Sequence, residues 1–367
     1  MPKKNTADFT LMLTTLILVG IGIIMVFSSS HYYALSKWND SYYFLKRELV
    51  WASVGLAGML AAMNFNYWKY KKLALLAYVI SIILLILVLT PLGIELNNAK
   101  RWIGVGGFTI MPGEIAKVCA ILFMASWLSK KPEKIKSFYY GILPSLLVIG
   151  VYFTLVILQP NLSTAVTIAM IIGTMMFVAG MRWTHLSIMG ISGIVLIAAM
   201  IAVAPYRMNR LTGFLDPFAD PQGEGYQVIQ SLLALGTGGL FGVGLGKSIQ
   251  KYLYLPEPQN DFIFAIIGEE LGFVGAVLII GLYMLLIWRG VRIAINSPDL
   301  FSCLLASGIT SMVAIQVVIN IAVATSSMPV TGIVLPFISW GGNSLAIFMT
   351  IIGVLLNISR YANLDRG

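Results

Sequence analysis

Residues 254–276 read YLPEPQNDFIFAIIGEELGFVGA. From Phe262 onward the stretch is apolar enough to enter a bilayer, yet Asp261 stands at its threshold and Glu269 and Glu270 lie inside it. A carboxylate within lipid costs at least a few kcal/mol unless it is paired or functional. The stretch is therefore either the wall of a membrane-embedded site or a set of polar clamps between helices. One helix continued from Asp261 would put Glu269 roughly 12 Å deeper and about 80° around, with Glu270 about 180° away. On that geometry Asp261 and Glu269 flank one cavity, while Glu270 faces another helix.

The whole chain shares this apolar character. Of its 367 residues 58% are hydrophobic and 11% charged, against about 25% charged in soluble domains, and the mean hydropathy is +0.88. This predicts an all-α polytopic membrane protein, with residues 1–367 forming a single integral membrane domain. A span needs roughly 20 apolar residues. That length predicts ten transmembrane helices, near residues 9–29, 49–64, 73–90, 112–128, 141–158, 163–180, 184–204, 262–288, 300–324 and 331–357. The first follows MPKKNTADF with no small-residue cleavage site, so it is expected to be a retained helix and not a signal peptide.

Short cytoplasmic loops collect Lys and Arg. With the N-terminus inside, that face gathers Lys3, Lys4, Lys69, Lys71, Lys72, Lys130, Lys131, Lys134, Lys136, Arg182, Arg289, Arg292, Arg360 and Arg366. Both termini are expected in the cytoplasm, and the net charge of +9 reads as a topology signal that calls for no nucleic acid. Cys119 and Cys303 lie far apart in apolar runs and are expected to be inert thiols. With His31 and His185 the only histidines, a His-based zinc site or a Ser-His-Asp triad has little to be built from.

On this topology the outer face receives segments 91–111, 159–162, 205–261 and 325–330. The extracytoplasmic loop of about 205–261, between the seventh and eighth spans, is far longer than most connections. Its aromatics, prolines and glycines predict an ordered loop with a short helix near Tyr226 to Leu235. Within it GTGGLFGVGLGKS (236–248) is no Walker A loop, because Phe241 occupies the position that needs glycine; membrane turns and close backbone packing are expected instead. Gln159 to Asn161 reads as a tight outer turn. Pro329, Pro336, Gly341 and Gly342 are expected to break or bend the tenth span.

Glu114 and Lys117 are three residues apart, hence on one helical face. Either they form a structural ion pair, or Lys117 contacts an anionic substrate while Glu114 holds it in place. Arg101, Arg207 and Arg210 fall on the same outer face. Arginine suits bidentate phosphate binding, and lipid headgroup contact is the plainer reading of each.

WIGVGGFTIMPGEIAK (102–117), QPNLSTA (159–165), FLDPFADPQGEGYQVIQSLLALGTGGLFGVGLGKS (214–248), YLPEPQNDFIFAIIGEELG (254–272) and PVTGIVLPFISWGGNSL (329–345) resemble, in order and spacing, the signature segments of the SEDS (shape, elongation, division and sporulation) family. The similarity is nearest to its division and sporulation branch, FtsW and SpoVE, and covers essentially the whole chain. Asn161, Gly113 and Trp340 depart from the commoner Asp, Ser and Tyr, which makes Asn161 a poor candidate for a required acid.

The resemblance implies a peptidoglycan glycosyltransferase that polymerises lipid II on the outer face of the bacterial cytoplasmic membrane, working with a class B penicillin-binding protein transpeptidase. The family's essential loop aspartate falls on Asp261, and its fourth-span Glu and Lys fall on Glu114 and Lys117. An inverting transfer needs a base on the acceptor and charge stabilisation on the leaving pyrophosphate. Asp261 is the expected catalytic base. Lys117, Arg101, Arg207 and Arg210 are expected to meet the pyrophosphate, with Glu114 and Glu269 grouped among the substrate-binding residues. A divalent cation such as Mg2+ or Mn2+ is left open. So are two other classes: a lipid II flippase or transporter, and a non-catalytic scaffold for a transpeptidase.

Overall fold

The computed structural model describes residues 6–96, 99–105, 108–130 and 132–363. Lys3, Lys4, Lys131 and Arg366 of the charge reading lie outside the described residues. Twelve α-helices follow in chain order among the described residues: α1 (Phe9–Trp38), α2 (Tyr43–Asn64), α3 (Tyr67–Leu89), α4 (Pro112–Leu128), α5 (Leu143–Ile157), α6 (Leu162–Val178), α7 (Trp183–Val203), α8 (Pro205–Leu215), α9 (Tyr226–Gly238), α10 (Ile263–Ile295), α11 (Leu300–Ala324) and α12 (Asn343–Ser359). By length and composition α1, α3, α7, α10 and α11 can each cross a membrane, and α5, α6 and α12 are shorter apolar helices.

Side chains start several helices where the sequence turns apolar. Asp8 accepts from the Leu11 N–H at 2.9 Å to cap α1, and Asn161 does the same for α6 through the Thr164 N–H at 3.1 Å. Asp299 and Ser302 form a reciprocal capping box at α11. Asn161 is thus a cap, in keeping with its poor fit to an acid's role.

Each predicted span coincides with a helix, with four differences of detail. Segment 91–111 carries a three-stranded antiparallel sheet, β1 (Gly93–Leu96), β2 (Ala99–Val105) and β3 (Phe108–Ile110), ordered β1-β2-β3. The long loop holds two helices, α8 as well as the expected α9. The tenth helix begins at Asn343, twelve residues later than 331, because Gly332, Phe337 and Gly342 adopt positive φ and Pro329 and Pro336 add no N–H donors.

The fourth difference is in α10, which is not one straight helix. Gly272 has φ 69° and ψ −169°, and a Cβ there would lie 2.2 Å from the Gly242 nitrogen. Main chain from the glycine-rich stretch fills the break. Val243 and Gly244 N–H groups donate to the Glu269 and Glu270 carbonyls at 2.9 and 3.0 Å, and Phe273 and Val274 N–H groups donate to the Gly239 and Leu240 carbonyls at 2.9 and 3.1 Å. The groups freed by the kink are thereby satisfied without water, as a membrane interior requires. The glycines serve close backbone packing, as expected.

The core lies among α1, α2, α4, α6, α10, α11 and α12. α2 and α12 run side by side, with Gly353 against Met59 and the Asn357 Nδ2 donating to the Met63 carbonyl at 2.7 Å. α7 buries none of its residues and stands at the edge of the bundle.

Candidate active site

Asp261 sits in the turn just before α10, and its main chain is gripped from three sides. The Trp340 N–H donates to the Gln259 carbonyl at 2.9 Å, Ser339 Oγ to the Asn260 carbonyl at 2.7 Å, and Asn320 Nδ2 to the Asp261 carbonyl at 3.0 Å. Asn320 also donates to the Ile333 carbonyl at 2.8 Å, tying α11 to the segment before α12. Among the described residues the Asp261 carboxylate makes no hydrogen bond. Burial pushes its pKa up to about 6, and the negative charge of Glu257 adds to the rise; Arg210 and Arg101 oppose it. A carboxyl so placed suits a general base near neutral pH.

Arg101, on β2, donates to the Gln159 carbonyl at 3.4 Å and to the Pro160 carbonyl, fixing the turn at those residues. Burial lowers its pKa below the usual guanidinium value. Arg210, on α8, donates to the Val330 carbonyl at 3.4 Å. Arg207 lies over the Tyr206 ring at 5.2 Å and donates to the Tyr206 hydroxyl at 2.8 Å.

These three arginines and Tyr206 edge a cavity of about 530 Å3. Its remaining walls are mostly apolar, with Val166 and Met170 from α6, Ile197 and Ile201 from α7, and Ile315 and Val318 from α11, and with Asn161, Ser163 and Thr331 as polar members. A second cavity, of about 470 Å3, shares Arg210 and Val330 with the first and is lined by Asn209, Asp220, Glu224 and Gln227. An apolar trough, a cationic edge and a polar chamber thus adjoin one another; Asp261 itself lines neither cavity, but Arg101 and Arg210, which edge the first, act on its carboxyl. The arrangement suits a ligand with a long hydrocarbon chain, an anionic junction and a polar head.

Glu114 and Lys117 pair as their spacing predicts, at 2.7 Å and buried. The Glu114 Oε2 has no partner. The start of α4 is pinned by the Met111 N–H, which donates to Asn343 Oδ1 at 3.1 Å. Neither Glu114 nor Lys117 lines the two cavities.

Glu269 does not flank a cavity with Asp261, which corrects the single-helix geometry. Its carboxylate accepts from the Ile249 N–H at 2.8 Å and from the Ser248 hydroxyl. Asp261 precedes the helix, so helical phase cannot be carried from it. Glu270 does face another helix: it accepts from Ser28 Oγ of α1 at 2.7 Å and pairs with the buried Lys251 at 3.0 Å. Nothing in the local sequence marks Lys251 as a buried partner. Sequence reasoning missed Gln316, Asn320 and Asn343, although Gln316 and Asn320 form a polar i, i+4 pair inside an otherwise apolar span, itself a costly pattern.

The donor set does not make a cation cage. Among the described residues no three His, Cys, Asp or Glu side chains cluster to hold a metal ion, and the charges acting on Asp261 are one acid, Glu257, and two arginines.

Residues 9–364 match the FtsW/RodA/SpoVE family of cell cycle proteins. Stage V sporulation protein E of Bacillus subtilis (strain 168) is 48% identical over 361 residues, 98% of this chain and 99% of its own. A probable peptidoglycan glycosyltransferase FtsW of Geobacter sp. (strain M18) is 41% identical, over 98% of each chain. Among solved structures, a chain from work on the coordination of polymerization and crosslinking by a peptidoglycan synthase complex superposes with a TM-score of 0.81 at 31% identity, covering 97% of this chain and 98% of that one. The rod shape determining protein RodA of Thermus thermophilus gives 0.73 at 28% identity, with the same coverage. Motifs, fold and near full-length similarity agree: the chain belongs to the FtsW/RodA/SpoVE family of multi-pass membrane cell cycle proteins.

Proposed function

We propose that this chain is a peptidoglycan glycosyltransferase that polymerises lipid II at the outer face of the bacterial cytoplasmic membrane, in division or sporulation, beside a class B penicillin-binding transpeptidase. The names of its relatives support the activity. The observation that carries it here is the free carboxyl of Asp261 within the field of Arg101 and Arg210, which edge an apolar groove. Both termini lie in the cytoplasm, which puts the sheet, α8, α9 and Asp261 on the outer side.

The polyprenyl chain of the donor lies in the groove between α6, α7 and α11. Its pyrophosphate meets Arg101, Arg207 and Arg210, whose guanidinium groups are suited to phosphate oxygens. Asp261 takes the proton from the acceptor hydroxyl as that oxygen bonds to the anomeric carbon. The bond from that carbon to the pyrophosphate oxygen breaks on the opposite face, its electron pair leaving on the lipid pyrophosphate, so the centre inverts. Cations fixed before the reaction stabilise the departing charge without having to reorganise. Lys117, steadied by Glu114, supplies a further cation. We assign Glu269 to holding the 248–249 segment on α10.

Transporters also use broken helices to expose backbone to a ligand. In α10 the exposed groups are already taken by the loop main chain, so that break does not favour the flippase reading. Reconstituted protein given labelled lipid II separates the two. Glycan ladders are the expected result; translocation without ladders would overturn the proposal.

A further inference from the structure

Two buried polar groups on facing helices lack partners. Glu114 gives one oxygen to Lys117 at 2.7 Å while its Oε2 accepts nothing. Gln316 of α11 is wholly buried, with neither Nε2 nor Oε1 bonded.

The two helices run antiparallel. Near the end of α4, Ser126 bonds the Lys71 carbonyl of α3, and Asp299 at the start of α11 bonds Tyr67 of the same helix end. Between them Gly308 packs on Ile121, where an added Cβ would lie 2.6 Å from Ile121 Cγ2. At a rise of about 1.5 Å per residue on each helix, that contact brings Gln316 to the depth of Glu114. Glu114, seven residues from Ile121, stays on the face that Ile121 turns to α11, and Gln316, eight residues from Gly308, is turned about 80° from the Gly308 contact, a gap its long side chain has to span.

Asn320, one turn further along α11, already spends its amide on the carbonyls of Asp261 and Ile333. Asn343 accepts from the Met111 N–H through its Oδ1, which anchors it at the start of α4, while its Nδ2, like the Gln316 amide, is unbonded. A buried amide left without partners is disfavoured, and a second state in which it is bonded accounts for its presence. The proposed function supplies that state, and the inference rests on it. Lys117 reaches a pyrophosphate only by leaving Glu114, and a buried carboxylate stripped of its cation is strongly disfavoured.

We infer that Gln316 is a positioning residue whose amide takes up Glu114 when Lys117 turns to the anionic substrate. Its Nε2 donates to the Glu114 Oε2, and the carboxylate stays ionised and in place. Lys117 is then free to follow the phosphate, and no proton has to move.

The test uses the purified full-length chain with labelled lipid II, comparing Gln316→Leu, Glu114→Gln and the double variant. Gln316→Leu keeps the volume and removes an unbonded amide, so it should melt at or above the wild-type temperature. Its kcat/KM should nevertheless fall by about tenfold to a hundredfold, as expected when a buried charge is left without a donor. Glu114→Gln leaves no charge to receive, so adding Gln316→Leu to it should cost nothing more. Binding of labelled lipid II to each variant closes the same cycle wherever turnover is too low to measure. Unchanged polymerisation in Gln316→Leu, losses that add in the double variant, or activity that falls only in step with melting would each overturn the assignment. Absence of polymer from the wild-type chain would instead overturn the proposed function.

Discussion

At Asp261 the backbone is fixed and the carboxyl is free. Three consecutive carbonyls are held by Trp340, Ser339 and Asn320, so the side chain can change protonation without shifting the loop. The base works ionised, so the rate should rise with pH through a limb near the raised pKa of about 6. Glu257 contributes to that rise; Glu257→Gln should therefore move the limb to lower pH in a rate profile of polymerisation. An unmoved limb would show that another group titrates. Asp261, Arg101 and Arg210 were legible in the sequence because motif and topology put them on one face. Glu269 was misplaced because a helical phase was carried through Asp261, where PEP and QND form a turn and helix begins only at Ile263.

The break in α10 is the element on which loop 239–251 is fastened. Loop 239–251 is stitched to it by four main-chain bonds and by the Lys251, Glu270 and Ser28 cluster, which reaches across to α1. Removing one partner of a buried ion pair costs about 3–5 kcal/mol, whereas replacing both with apolar groups is often neutral. Lys251→Met should therefore lower the melting temperature in detergent, and Lys251→Met with Glu270→Leu should recover most of it. Equal losses in both would mean that the pair is not what fastens the loop. Periodicity in composition could show that these segments enter the membrane. It could not show that one helix is cut and refilled by a distant glycine stretch, because that depends on a close approach in space. The three short strands escaped notice for a related reason: each is only three to seven residues long and its pairing, not its composition, makes the sheet.

The molecule as a whole is a helical bundle with one exposed wall, α7, and the groove between that wall and α6 and α11 opens beside the arginines. Filling the groove should hurt long-chain substrates most. Val318→Trp is expected to raise KM for lipid II bearing a full polyprenyl chain more than for a short-chain analogue, measured by glycan product. An equal effect on both would place the chain elsewhere. The apolar helices were legible from hydrophobic length, and the charge bias of the loops supplies the orientation proposed for them. The groove itself was not legible, since its lining comes from four separated stretches that no local pattern links.

The central claim is that Asp261 removes the acceptor proton. Asp261→Asn keeps the size of the side chain and abolishes the base, so the variant should fold and melt like the wild type. Losing general-base catalysis costs on the order of a hundredfold to ten-thousandfold in rate. The decisive measurement is polymerisation of labelled lipid II by purified wild type and Asp261→Asn side by side. The account predicts ladders from the first and none above background from the second; ladders of equal yield from both would contradict it.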